Sequence, residues 1–257
     1  MERNFLLTIA YDGTLFHGWQ RQPEALTVQG HLESTLSRLF KKDIVINGTS
    51  RTDAGVHAYG QRATFSMDSG IPADRLARVI NNALSGREKG PFAISPVRIV
   101  KAEEKPAGFH ARFDSKGKKY IYKIKNTPDV DIFVRNYVYH VNGRLDADAM
   151  KLAAVALKGT HDFKSFEASG GTERETTVRT IYDIGITGPG EDGMMQLHVS
   201  GDGFLYNMVR IITGTLVDVG CGRIRAEDMP EIIAAKDRMK AGHTAPPYGL
   251  YLAEVYY

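Results

Sequence analysis

Apolar and polar positions along this chain alternate between a period of two and a period near 3.6, and the switches divide it into elements. FLLTIAYDG (5–13) mixes apolar and β-prone residues and ends on Asp-Gly, which predicts a strand running into a turn. From Thr27, a residue that can cap a helix, Val28, Leu32, Leu36, Leu39 and Phe40 share one helical face as far as Lys41. DIVINGTS (43–50) and QRATFSM (61–67) alternate, predicting strands on either side of the loop RTDAGVHA. Pro72 sits in the first turn of a second helix to residue 84, with Leu76, Val79, Ile80 and Leu84 inward. FAISPVRIVKAEE (92–104) is a further strand, which Pro96 confines to an edge or a bulge. The order is β-α-β-β-α-β.

The second half runs through a similar series. KKYIYKIKN (118–126) predicts a strand, and LDADAMKLAAVALKG (145–159) a helix stopped by Gly159. TVRTIYDIGITG (177–188) and MMQLHVSG (194–201) form a hairpin across Pro-Gly-Glu-Asp-Gly. LYNMVRIITGTLVDVG (205–220) and AEDMPEIIAAKDR (226–238) are helical, and LYLAEVYY (250–257) closes as a strand. A repeated element order without repeated sequence predicts an α+β fold of two ferredoxin-like or RRM-like lobes, 1–105 and 106–257. They would share a mostly antiparallel sheet, with helices on one face and a central cleft. PAGFHARFDSKG (106–117), polar and Gly-rich, is the crossing between them.

Composition narrows the function classes only slightly. With 42% hydrophobic and 25% charged residues the chain is an ordinary globular one, and a net charge of +3 permits an anionic partner without demanding it. Cys221 is the one cysteine, which excludes an intramolecular disulfide and a cysteine-based zinc site. The first apolar run is too short for a signal sequence, and no stretch reaches the roughly 18 apolar residues of a membrane span. The expectation is a cytoplasmic protein. His57, His110 and His161 lack metal-binding spacing, and Gly201-Asp202-Gly203 is too short for a dinucleotide loop, so neither metal nor cofactor is expected.

The chemistry concentrates in NGTSRTDAGVHAYGQ (47–61), where Asp53 stands without a second carboxylate. One reading makes Arg51 and Asp53 a surface pair around a turn. The other notes that Gly48, Gly55 and Gly60, with small Ala54 and Val56, allow a tight loop at a strand end, where functional side chains tend to sit. Arg51-Thr52-Asp53-Ala54-Gly55-Val56-His57 resembles the catalytic loop of the TruA family of tRNA pseudouridine synthases. Companion matches run along nearly the whole chain: Tyr11-Asp12-Gly13, Gly18-Trp19-Gln20-Arg21-Gln22, Phe109-His110-Ala111-Arg112-Phe113, Lys119-Tyr120-Ile121-Tyr122, Gly159-Thr160-His161-Asp162-Phe163, Asn207-Met208-Val209-Arg210 and Gly249-Leu250-Tyr251-Leu252. Thr49-Ser50 departs from the family's usual Ala-Gly and makes the approach to Arg51 bulkier.

The resemblance implies a reaction suited to one carboxylate: uracil leaves the sugar through N1, turns, and rejoins the same carbon through C5. It makes Asp53 the catalytic nucleophile or base, Arg210 the cation that keeps it ionised, and Tyr120 the ring stacked on the target base. Read from its own segment, Tyr120 fits equally a half-buried strand with snorkelling lysines and an aromatic set among cations for base stacking. Arg51 would hold the extruded nucleotide and Leu250 would lie beneath the uracil, with Gly55 and His57 in the same substrate loop. Arg21, Lys116, Lys118, Arg174 and Arg179, with Arg223 and Arg225, are candidate RNA contacts along a phosphate track. The resemblance further implies a homodimer acting on the anticodon stem-loop of tRNA at positions 38, 39 and 40. Two other classes fit the same residues: a tRNA-clamping module that modifies nothing, and an N-glycosidase that releases free uracil.

Overall fold

The computed structural model describes residues 2–85, 94–171 and 175–257. Its chain packs into two units, Met1–Lys116 with Leu252–Tyr257, and Gly117–Tyr251. In the first unit, strand β1 (Arg3–Tyr11) is followed by α1 (Val28–Phe40), β2 (Asn47–Gly48), β3 (His57–Met67), α2 (Ala73–Ser85) and β4 (Val97–Lys105), the predicted order. β1 pairs antiparallel with β3, setting Phe5 opposite Phe65, and with β4, setting Leu7 opposite Ala102. Phe5, Leu6 and Leu7 are all fully buried, so β1 is covered on both faces. Each such side chain contributes roughly 1.5–3 kcal/mol of burial.

α1 starts where Thr27 Oγ1 accepts a hydrogen bond from Gly30 N (3.3 Å) and ends at Lys41, whose φ is 53°. It buries Val28, Leu32 and Leu36, and with them Gln29 and Glu33. Those two polar residues explain why the strand expected over 43–50 shrinks to Asn47–Gly48. Ile44 and Ile46 are buried and Val45 exposed, so the alternation is real. The hydrogen bonds, however, go to α1: Ile44 N donates to Ser37 Oγ (3.0 Å), Ile46 N to Glu33 Oε1 (3.0 Å), and Ile46 O accepts from Gln29 Nε2 (3.2 Å). The strand expected over 92–104 begins only at Val97, after Pro96; residues 92 and 93 lie outside the described residues. Asn81 on α2 bonds both the N–H and the C=O of Ile99 at 2.8 Å, beside the point where the β1–β4 register shifts.

In the second unit, β5 (Gly117–Asn126) pairs antiparallel with β9 (Met194–Gly201), β9 with β8 (Val178–Thr187), and β8 with β7 (Gly159–Asp162); the short β6 (Tyr139–Val141) runs parallel to β5. Both units are thus mixed α and β with mostly antiparallel pairing. α3 (Ala147–Val155) begins at Asp146, whose Oδ1 accepts from Asp148 N and Ala149 N, and packs against α4 (Met208–Gly220). Gly159, expected as a helix stop, has φ of 105° and instead opens β7. The helix expected over 226–238 is a 3-10 turn, Ala226–Asp228, then α5 (Met229–Ala235), which ends where Lys236 turns left-handed at φ 51°. β10 (Leu250–Tyr256) starts in the second unit and finishes in the first. Among the described residues, no helix is long and apolar enough to cross a membrane.

Candidate active site

The loop between β2 and β3 is fixed at its root, its tip and its exit. At the root, Thr49 N donates to Arg62 O (2.8 Å), and Thr49 Oγ1 lies within hydrogen-bond range of Arg62 O (3.0 Å), Ala111 O (2.9 Å) and the Tyr257 hydroxyl (3.0 Å). Gln61, wholly buried on β3, holds the next residue through both ends of its amide. Its Nε2 donates to Ser50 O (2.7 Å) and its Oε1 accepts from Ser50 N (3.3 Å) and from Arg62 N (3.1 Å). A side chain therefore supplies the pairing a neighbouring strand would give, right before Arg51. The Thr49-Ser50 departure is accommodated by burying both residues.

The tip is clasped by the segment after β1. Trp19 N donates to Thr52 O (3.0 Å), Tyr11 and Thr52 hydroxyls bond at 2.7 Å, and Gly55 N donates to Phe16 O (3.3 Å). Gly18, at φ 86°, allows this approach: a Cβ there would stand 2.5 Å from Thr52 O. Val56 N closes a turn onto Asp53 O (3.2 Å) with Gly55 at φ 77°, the positive-φ third position of a type II turn. Asp53 is left half-buried on this turn, while Arg51 is exposed. At the exit, buried His57 accepts a hydrogen bond from Gly13 N at Nδ1 (3.1 Å). That bond uses the Nδ1 lone pair, so the 3.3 Å approach of Asp12 Oδ1 is no hydrogen bond in this tautomer; Asp12 Oδ1 instead accepts from Thr14 N and Oγ1. A carboxylate on a turn so tied can be presented in one orientation, which a nucleophile or base requires.

The other predicted residues of the reaction belong to the second unit. Tyr120 is buried on β5, its ring edge-on to Phe204 at 5.2 Å. Tyr122 on the same face is fully buried, donates its hydroxyl to Pro246 O (2.6 Å), and burial holds its pKa well above the ordinary tyrosine range. Every residue of α4 is buried except Arg210, which is half-buried. Its Nε donates to Ala245 O (2.8 Å) and its Nη1 to Asn207 Oδ1 (2.8 Å). Leu250 is buried at the start of β10.

Of the candidate RNA contacts, Arg21 is paired with the buried Glu33 at 3.0 Å, Lys116 is exposed, and Lys118 is half-buried on β5. Arg179 on β8 donates to the carbonyls of Thr176 and Val178. Arg174 lies outside the described residues. Gln61 and Thr49, which fix the loop, are not among the predicted residues; a polar side chain at an inward strand position is the signal Gln61 gives, and Thr49, past the end of β2, gives none. Among the described residues, no group of three or more His, Cys, Asp or Glu is placed to hold a metal ion.

Residues 7–114 and 153–257 match the family described as tRNA pseudouridine synthase. The chain is 49% identical to tRNA pseudouridine synthase A of Ruminiclostridium cellulolyticum over 255 residues, 99% of this chain and 100% of that one. It is 46% identical to the protein of that name from Acetivibrio thermocellus over the same shares of both chains. Among solved structures, an archaeal box H/ACA sRNP Nop10–Cbf5 complex is similar at a TM-score of 0.34 and 10% identity, over 97% of this chain and 46% of that one, too distantly to bear on function.

Proposed function

The chain belongs to the tRNA pseudouridine synthase family, and on that premise we propose that it isomerises uridine to pseudouridine in the anticodon stem-loop of tRNA, at positions 38, 39 and 40, with Asp53 as the catalytic carboxylate. The observation that carries this reading is the RTDAGVH loop itself. It sets a single carboxyl on a turn whose neighbours are tied by Gln61, Thr49, Tyr11, Trp19 and Phe16. The bond from N1 to the sugar breaks, a bond from C5 to the same carbon forms, C5 gives up its proton and N1 ends with one. Atoms and electrons balance without an oxidant or a second substrate. One oriented oxygen is enough to serve as nucleophile or base in that sequence. Arg210 and Tyr120 keep, as proposals, the charge-balancing and base-stacking roles of the resemblance, Arg51 that of holding the extruded nucleotide and Leu250 that of lying beneath the uracil. The working state we propose is a cytoplasmic homodimer.

The test is to incubate the purified protein with an in-vitro tRNA transcript, without added metal or nucleotide, and to map pseudouridine by chemical labelling. The expected result is pseudouridine at positions 38 to 40. Pseudouridine only at other positions would overturn the site assignment, and free uracil in place of pseudouridine would overturn the isomerase reading.

A further inference from the structure

The stretch FHARFD (109–114) has no task in the reaction above, yet it is a closely built turn. Asp114 N donates to His110 O (3.1 Å), and Asp114 Oδ2 accepts from His110 N (2.7 Å). His110 Nδ1 accepts from Arg112 N (3.1 Å) and Phe113 N (3.4 Å). Out of this turn projects Phe113, 76% exposed. Its ring lies 4.3 Å from that of His110, tilted by 34°, and the exposed Arg112 guanidinium stands 5.8 Å from its centre. Other large apolar side chains, such as Phe133 and Met239, are as exposed; what marks Phe113 is that its ring is flanked by an imidazole and a guanidinium on a hydrogen-bonded turn.

The turn is also fastened to the Asp53 loop. Ala111, fully buried at its centre, accepts at its carbonyl from Thr49 Oγ1 (2.9 Å) and Tyr257 Oη (2.8 Å), and Asn4 Nδ2 holds Phe109 O (2.8 Å). Phe113 therefore keeps a fixed place relative to the loop that bears the carboxylate.

We propose that the FHARFD turn is a stacking site for an unstacked base of the RNA substrate, with Phe113 as the platform and Arg112 reaching the adjoining phosphate. This rests on the reading of the substrate as tRNA and adds a contact beyond the reacting uridine. A ring of this kind accepts any base, since each has a π-face, and a guanidinium beside it meets the charge that always accompanies a base. An apolar protein surface would leave that guanidinium without a partner.

The test compares the native protein with Phe113→Ala, Phe113→Trp and Arg112→Gln for tRNA affinity across salt concentrations and for kcat and KM. Phe113→Ala is expected to weaken Kd and raise KM by about tenfold, the lower part of the range for one base stack, with kcat within about twofold. Its salt slope should stay native, and Phe113→Trp should restore affinity. Arg112→Gln should reduce the slope of log affinity against log salt by about 0.7–0.9. Native affinity in Phe113→Ala overturns the proposal. So does a loss that Trp fails to restore and that comes with a lowered Tm, because that marks a packing role. Native protein that binds tRNA without modifying it would sink the functional reading alone, leaving the affinity comparison to decide the stacking site; native protein that does not bind tRNA sinks both.

Discussion

The loop that carries Asp53 and the segment that leads to Leu250 are both held by side-chain hydrogen bonds, but with different chemistry. In the first unit the ties are neutral: the Gln61 amide, the Thr49 hydroxyl and the Tyr11 phenol. In the second unit, residues 242–246 are held on α4 largely by charge. Gly242 N reaches Thr215 Oγ1, but His243 N and Nδ1 bond Asp218 at 3.1 Å, Arg223 grips the same carboxylate at 2.6 and 2.8 Å, and Arg210 holds Ala245 O. Burial opposes ionisation of Asp218, yet the hydrogen bonds from His243 and Arg223 outweigh it, and its pKa lies below the ordinary aspartate value. The difference is instructive. Neutral clamps fix geometry without placing a further charge beside the Asp53 carboxylate, whereas charged clamps make their segment responsive to pH.

Of changes to the two clamps, the largest effect should come from breaking the neutral one. Gln61→Leu leaves Ser50 N, Ser50 O and Arg62 N without that amide, each a loss of about 1–3 kcal/mol if unreplaced. Displacing the Asp53 turn by even ~1 Å is expected to lower kcat by up to about a hundredfold. Single-turnover rates set beside urea midpoints check this: activity lost only in proportion to folded protein would make the clamp purely structural.

Next in size is Asp218→Asn, expected to cost about 1–2 kcal/mol at pH 7, or roughly 2–6 °C in Tm. Because the folded pKa of Asp218 is depressed, the native advantage is complete above the unfolded carboxylate range near ~4 and is lost as pH falls through the folded value. Melting curves from pH 7 downward should therefore converge; a gap that stays constant to pH 3 would count against the charged clamp. The smallest change is Tyr257→Phe, at about 1 kcal/mol, since the hydroxyl bonds Ala111 O and Thr49 Oγ1. A double-mutant cycle with Thr49→Val should give a coupling of at least about 0.5 kcal/mol.

What the sequence reveals differs between the same two regions. Helical spacing locates α1 and α2, and alternation β9 and most of β5, because there the buried residues recur at the period of the element; β1 and β8 are legible from β-prone residues and the turn residues that follow them, since their burial does not alternate. RTDAGVH could be read because its residue types are dense and contiguous. The contraction of 43–50 to Asn47–Gly48 could not, because periodicity reports which side chains face inward and not whether Glu33 or a strand takes the backbone N–H of Ile46. β7 escaped for another reason: Gly159-Thr160-His161-Asp162 is polar, and only its pairing with β8 makes it a strand. Gln61 and Thr49 act through hydrogen bonds to partners as far as 11 and 62 residues away, and no periodicity announces them. The charged network joins Asp218 to Arg223 and, across 25 positions, to His243, and is equally silent in sequence.

The most direct test of the account is Asp53→Asn, which keeps the size of the side chain and removes its charge. Measured as single-turnover pseudouridine formation on tRNA, the variant should be slower by at least about a thousandfold, with tRNA affinity changed by only several-fold. Conversion of uridine by Asp53→Asn at the native rate would contradict it.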